Sequence, residues 1–416
     1  MTVLDLFSGA GGLSEGFWRI GANFAAHVET DTHACDTLRT RAAYWRLKQK
    51  NNLKLYHDYL LGKIDQKLLW HTGEIDEKNE VIERAIGEET YTEIAESVKH
   101  NMQVKSIDSI DILIGGPPCQ AYSVMGRSRM GERVKEDERN WLFRYYVRFL
   151  HDFKPKIFLF ENVPGLKTAN GGHYYHELMD ALRQEYYVPD PQIHSSRDFG
   201  VLQDRKRFII VGRRKNLNIN IDNLIESAKT GRWEDAIVND LLYDLPKLTP
   251  GTQICGKGKY IEKPSSYLVE TGIRPKDFDI LTWHTARPHN ERDREIYAHA
   301  ISVWNDDKKK LKYTDLDTCL ISHKNTTTFL DRFNVVKKDL SYSQTIVAHI
   351  AKDGHYFIHP DISQCRSLTV REAARIQSFP DDFYFEGPRT AVFTQIGNAV
   401  PPRMAELIAK KIFKLL

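Results

Sequence analysis

Residues 3–12 read VLDLFSGAGG: a short apolar run, a turn carrying three glycines, and then at 13–20 an amphipathic stretch that stops at Gly21. Few local structures accept that order. The apolar run suits a buried strand, and Gly9, Gly11 and Gly12 let the backbone turn tightly and approach a neighbour. The spacing after them suits a helix. Residues 23–28 form a second apolar run that closes at Glu29. That acid lies about twenty residues past the first glycine, where nucleotide-binding α/β folds place a ribose ligand. The chain is therefore predicted to open a doubly wound α/β sheet, with free N–H groups at the helix start available to a carboxylate or phosphate. The same residues also spell a plain tight turn between strand and helix, because short glycine patterns recur by chance.

From 41 to 109 the chain is charged and helix-prone with little turn chemistry, and a helical insertion is predicted at about residues 45–109. Strands are expected again at 110–114 and 157–160, with a helix at 140–153 between them that Pro155 ends. Such alternation favours a parallel sheet. A further helix is expected at 174–186 and a further strand at 208–211, completing a first domain at 1–214. Beyond Lys215 Gly, Pro, Asn and Thr become common and periodicity weakens, so 215–340 is predicted to be a smaller irregular domain. Regular patterning returns over 341–416, with a helix at 369–377. A last helix starting at Pro401 and Pro402 is expected to return to the first domain.

Composition limits the function classes. With 416 residues, 41% of them hydrophobic, the chain can bury two cores. The start lacks a basic, cleavable leader pattern and no run nears the length of a membrane span, so a cytoplasmic setting without membrane contact is expected. Five cysteines without CxxC spacing suggest neither a disulfide framework nor a zinc site. His284 and His289 lie five apart with no flanking cysteine, so no metal is expected there. The net charge of +3 does not by itself indicate nucleic acid.

The most informative passage is GGPPCQAYS at 115–123, directly after an apolar strand. A cysteine at the carboxyl end of a parallel strand sits where α/β enzymes carry out chemistry. Two prolines fix the backbone before Cys119, and two glycines admit a substrate or loop. A helix starting nearby would favour its thiolate. The bland alternative is a buried cysteine in a turn, which the bracketing residues disfavour.

With these motifs in view, the chain resembles the DNA (cytosine-5) methyltransferase family of the bacterial restriction-modification type. DLFSGAGG resembles the family's cofactor turn, GGPPCQAYS its nucleophile loop, and ENVPG at 161–165 its catalytic acid. QDRKRF at 203–208, REAARIQSFP at 371–380 and TQIGNAVPP at 394–402 follow in the family's order. The resemblance implies a Rossmann-like catalytic domain dependent on S-adenosyl-L-methionine (SAM), with 215–340 as a target-recognition domain. It implies Cys119 as the nucleophile on cytosine C6, Glu161 as the acid at N3 and Arg205 near O2, with Arg207 holding the strand or a phosphate. For SAM it implies Phe7, Gly9, Gly11 and Glu29, with Asn398 and Ala399 arriving from the C-terminal segment. The adenine-contacting aspartate of the family has no match, since Asp108 and Asp111 lie too near the nucleophile strand.

A base stacked in a duplex hides C5 and C6, so the target must be flipped out and a loop must close over it. Residues 120–137 are small, polar and basic. Gln120 resembles the residue that fills the vacated space and Ser123 one that touches the backbone, with Arg127 beside them. A solvated basic loop is the bland reading. In the recognition domain Arg287, Asn290 and Arg292 are candidates for base-edge contacts. The expected partner is double-stranded DNA, bound by a monomer. A restriction endonuclease acting on the same site would fit the setting, though no residue specifies it. Two other functions share these motifs. A transfer-RNA cytosine-5 methyltransferase usually lacks a large recognition domain, and a catalytically dead DNA-binding homologue would have lost Cys119 or Glu161.

Overall fold

The computed structural model describes residues 1–118, 141–322, 327 and 330–416. Its main sheet runs β3-β2-β1-β4-β5-β8-β6, with β7 also pairing β8. The central strands are β1 (Thr2–Leu6), β2 (Asn23–Glu29), β3 (Val81–Glu83), β4 (Ile112–Gly115) and β5 (Ile157–Asn162), all parallel. β6 (Tyr186–Tyr187), β7 (Gln192–Ser195) and β8 (Lys206–Arg214) form the antiparallel edge. Continuous apolar runs such as Ile112–Ile114 and Ile157–Phe160 are buried because helices cover both faces. One face carries Val3, Ile112, Ile114 and Leu159 against α1 (Gly12–Trp18), α2 (Thr32–Gln49) and the last helix. The other carries Leu4, Leu113, Phe158 and Phe160 against α5 (Glu88–Val104), α6 (Leu142–Phe153) and α7 (His173–Glu185).

The strand order changes direction between β1 and β4. The Gly turn after β1 and the Pro117–Pro118 segment after β4 both leave the carboxyl ends of these strands at that switch point, where open α/β sheets bind ligands.

The structure corrects the extent of the expected insertion. β3 and α5 belong to the sheet and its covering layer, and α2 runs through Gln49 as a core helix. The added pieces are α3 (Leu53–Leu60) and α4 (Gln66–Thr72), which pack on α2. Three residues, Val81 to Glu83, were too few to show a strand period between charged flanks. These helices also reach forward. The Tyr56 hydroxyl donates to the Asp382 carbonyl at 2.8 Å, and the Tyr59 hydroxyl to the Glu386 carboxylate at 2.7 Å.

Residues 215–340 do not form a core alone. Val238, Leu241, Tyr267 and Leu268 pack with Val336, Phe357, Val370, Phe379 and Val392, so most of the segment after 340 shares their core. Regular structure here is sparse: α8 (Leu224–Ala228), α9 (Ser266–Glu270), the β9 (Gly256–Lys257) and β10 (Ile280–Leu281) pair, and α10 (Glu291–Asp307), whose Ile296, Tyr297 and Trp304 build a smaller satellite core. α11 (Val370–Ile376) and α12 (Arg389–Asn398) follow, and α13 (Pro402–Phe413) leaves this region to lie against α1.

Charge replaces apolar area in this second core. Arg375 bridges Asp244 and Asp381, and none of the three side chains is exposed. Arg274 adds a second bond to Asp244, while Arg371 donates to Thr282, Pro380 and Phe383. Arg366 grips Glu372 through two bonds of 2.7 Å. An Arg375→Met substitution removes the cation that bridges two buried carboxylates, leaving Asp244 only Arg274 and Asp381 only Arg371 at 3.7 Å. It is expected to lower the unfolding free energy by about 3–5 kcal/mol in urea titrations.

Burial, with Arg366 adjacent, holds the His359 imidazole down at about 3, and burial with Arg287 adjacent holds His289 at about 4. In the unfolded chain both titrate near 6.5, so below that pH the unfolded state takes up the extra protons and the folded state loses stability. The unfolding free energy of wild type minus that of His359→Asn is expected to be flat above pH 7. It should fall from pH 6.5 to 4.5 by up to about 1.4 kcal/mol per unit. A difference that does not move with pH would contradict a buried neutral imidazole.

Candidate active site

At the end of β1 the backbone turns through three left-handed residues, Phe7 (φ 56), Gly9 (φ 55) and Gly11 (φ 80). Gly11 closes the turn by donating to the Ser8 carbonyl and caps α1. A side chain on Gly12 would start 2.4 Å from the Val400 carbonyl oxygen, and one on Gly16 would start 2.4 Å from the Glu406 nitrogen. These two glycines therefore serve packing, letting α1 touch the C-terminal segment backbone to backbone. Gly9 differs, with nothing within 4 Å of where its Cβ would stand. The space over that turn is open.

Glu29 closes the other side. Its carboxylate accepts the Gly9 N–H at 2.7 Å on one oxygen, and those of Thr30 and Asp31 at 2.8 and 2.9 Å on the other. Burial nevertheless raises its pKa. Opposite Glu29 in the sheet stands Glu83 of β3, held by Thr32 and Arg39. β3 is the third strand that sequence reasoning did not find, and it brings Glu83 to the same edge of the sheet. Asn398 is exposed at the end of α12, and the next two residues abut Gly12. Phe7, Gly9, Gly11, Glu29 and Asn398 thus converge. Asp111 does not join them, since it binds the Thr2 N–H and Lys156 at the amino ends of the strands.

On the neighbouring strands the register pairs Gly115 with Phe160, which sets Gly116 beside Glu161. A Cβ on Gly116 would lie 2.6 Å from a Glu161 carboxylate oxygen. Asn162 donates to the Pro117 carbonyl at 3.2 Å and accepts the Val163 N–H, so the chain entering Cys119 is tethered to the ENV segment. Cys119, Gln120, Ser123 and Arg127 lie outside the described residues.

The two arginines of QDRKRF do not stand as the resemblance suggested. Arg205 is fully buried and donates to the carbonyls of Ile346 at 2.7 Å and Gly397 at 2.9 Å, lacing the segment after 340 and α12 to the start of β8. It does not reach Glu161. Arg207 does, with its Nε 2.5 Å from a Glu161 oxygen in an ion pair that neither atom completes as a hydrogen bond. Arg205 precedes β8 in a loop and Arg207 lies within the strand, a difference that two arginines two positions apart do not announce in sequence.

The recognition-domain candidates also serve packing. Arg287 donates to the carbonyls of Ile350, Ala351 and Lys352, and Asn290 caps α10 by accepting the Asp293 N–H. Arg292 is exposed. His284 bonds Pro246 and Thr369, and His289 bonds Ser367. Among the described residues no three His, Cys, Asp or Glu side chains gather as a metal cluster. A Gly116→Ala substitution is expected to push the Glu161 carboxylate aside. Turnover should fall about a hundredfold while the melting temperature stays close to wild type.

The matching family profile, C-5 cytosine-specific DNA methylase, spans residues 1–66 and 74–414. A Type II methyltransferase of Bacillus paralicheniformis is 44% identical over 443 aligned positions, covering 99% of this chain and 98% of its own length. One from Xanthomonas oryzae is 31% identical, covering 99% of this chain and 84% of its own. Among solved structures, a protein described as a DNA modification methyltransferase encoded within an E. coli prophage aligns over 100% of this chain and 99% of its own, with a TM-score of 0.68 at 24% identity, a likeness of fold. The switch-point site, the Pro117 carbonyl tethered to Asn162 and this match along nearly the whole length agree: the chain belongs to the C-5 cytosine-specific DNA methylase family.

Proposed function

We propose that this DNA cytosine-5 methyltransferase moves a methyl group from SAM to C5 of a flipped-out cytosine within a specific short duplex sequence, as the modification half of a restriction-modification pair. The observation that carries this reading is the juxtaposition of the Cys119 approach segment, Glu161 and the Gly9–Glu29 turn at one switch point. The restriction-modification setting rests on the Type II names of the relatives. A companion endonuclease acting on the same site is the partner that setting supplies, and one chain carries every motif of the reaction, so a monomer is the acting unit.

The residues present fit SAM. Glu29 would accept ribose hydroxyls, the open backbone at Gly9 would admit the amino-acid portion, and Phe7, Gly11 and Asn398 would border it. Bound there, SAM supplies an electrophilic methyl group. Everything else falls to the chain. Cytosine C5 is too weak a nucleophile until a thiolate adds at C6, and Cys119 makes that bond, leaving an enamine along C5–C6. Glu161 gives a proton or strong hydrogen bond to N3 as negative charge develops on the ring. Arg207 holds the Glu161 carboxylate in place through Nε, commits Nη1 to the Lys206 carbonyl and would offer Nη2 toward O2, the task first expected of Arg205. Once C5 is methylated its proton leaves, to water in this reading, and Cys119 is eliminated. Gln120, Ser123 and Arg127 would close over the DNA during these steps.

Methyl transfer from labelled SAM to duplex DNA and to transfer RNA tests this, followed by bisulfite sequencing. Wild type is expected to protect cytosines in one recurring short sequence. Cys119→Ala should lose at least about a thousandfold in turnover, and Glu161→Gln roughly 10²–10⁴-fold. Methylation of RNA alone, or no transfer despite tight SAM binding, would overturn the proposal.

A further inference from the structure

A cleft of about 370 Å³ opens beside the start of α12, lined by Trp283, Thr285, Val370, Pro388, Arg389 and Thr390. None of these residues has a part in the chemistry above. Arg389 is half-buried, its Nε is without a hydrogen-bond partner, and its guanidinium makes no ion pair among the described residues. Most other buried or half-buried arginines of this protein are engaged by carboxylates or carbonyls. Leaving one without an acceptor is costly. Its charged neighbour is a second cation, Arg287, whose own guanidinium is already committed to three backbone carbonyls. Asp353 offsets part of the Arg287 charge, but Arg389 itself has no ion-pair partner among the described residues.

The facing wall is held with similar care. Trp283 has a φ of 59, a conformation that a bulky side chain adopts only when its surroundings enforce it, and one that gathers at ligand-binding positions. The enforcement is visible. The indole donates to the Phe385 carbonyl at 3.2 Å, Arg371 holds Thr282 before it, and His284 after it is bonded to Pro246. The indole is thus fixed, half-exposed, at the edge of the cleft. The Thr390 side chain lies at the mouth, and α12 begins at Pro388 without a side-chain cap, leaving its first N–H groups unclaimed.

We propose that this cleft binds a backbone phosphate of the duplex, with Arg389 supplying the charge and the Trp283 ring packing on the adjoining sugar. The inference rests on duplex DNA being the substrate. α12 has ten residues and so spans about 15 Å. Its far end carries Gly397, held by Arg205, and Asn398 beside the Gly turn. Along a strand rising 3.4 Å per base pair, that separation is about four base pairs. The contact would fall within the footprint of a short recognition sequence while reading no base itself.

Fluorescence anisotropy of the full chain on a duplex carrying its methylation site, and on a scrambled duplex of equal length, tests this between about 50 and 200 mM salt. Arg389→Ala is expected to weaken both duplexes alike and to reduce the slope of log affinity against log salt by about 0.9, the signature of one lost phosphate. Arg389→Lys should restore the slope, and Trp283→Leu should weaken binding without moving it. Melting temperature should change little in Arg389→Ala, because the guanidinium has no partner to lose. An unmoved slope, weakening confined to the methylation-site duplex, or a collapse of the fold would each overturn the inference while leaving the enzyme reading intact. Wild type that binds neither duplex would overturn both.

Discussion

Glu15 is fully buried one turn into the first helix, and the rest of the molecule is arranged around satisfying its carboxyl oxygens. Arg41 of α2 meets its two oxygens at 2.7 and 2.8 Å, Arg19 and Trp45 add further donors, and Arg41 then reaches on to Asp382 near the other end of the chain. Tyr44 takes the second oxygen of Asp382 at 2.7 Å. A buried carboxylate deprived of its cation is strongly destabilising, so this network tolerates only one relative position of α1, α2 and the 380–387 segment. The glycines at 12 and 16 follow from the same closure, since the C-terminal backbone arrives too close for any side chain. Positioning the cofactor turn and positioning the C-terminal segment are thus a single event.

The second core uses the same device for a different reason. Residues 215–340 carry little regular structure, so their backbone carbonyls find few partners in helices or strands. Arg371 and Arg375 supply donors to the Thr282 and Leu241 carbonyls instead, and Arg205 and Arg287 to those of Ile346 and Ala351, all far along the chain, while Arg366 binds nearby Gln364 and Glu372. An arginine fits this task because its planar fork presents several fixed donors at once. The result is an irregular region with a defined shape, mounted on the sheet through Arg205 and beside the Gly turn through α12. Beside that set Arg389 stands apart, as its Nε has no acceptor among the described residues.

The active site takes its geometry from the sheet. Parallel pairing of β4 with β5 fixes Gly116 against Glu161, and antiparallel pairing of β5 with β8 carries Arg207 to the same carboxylate. The inserted α3 and α4, which looked like an appendage, brace the segment at 382–386 through Tyr56 and Tyr59. The sheet domain and the segment after 340 are therefore joined through side-chain bonds as well as through the chain itself.

Much of this was legible without coordinates. The glycine turn, the Pro-Pro-Cys strand end, the acid after the next strand and the terminal helix are each defined by neighbours within a few residues, and local sequence specifies local backbone. The strands at 110–114 and 157–160 showed themselves because both faces are buried and their apolar runs are unbroken. What failed to show depended on partners far along the chain. β3 is three residues long and becomes a strand only because β2 offers it an edge. Arg205 and Arg207 have the same chemistry two positions apart, and only the start of β8 between them sends one into the core and the other to Glu161. Arg287 looked like a base-edge contact until the carbonyls of residues 350–352 claimed it, and Asn290 until it proved to cap the helix that follows it. The sequence by itself determined which local structures form and which reaction they serve. The tertiary structure alone decided which polar side chains stay free for a substrate, because a donor is free only when no distant acceptor has been folded onto it.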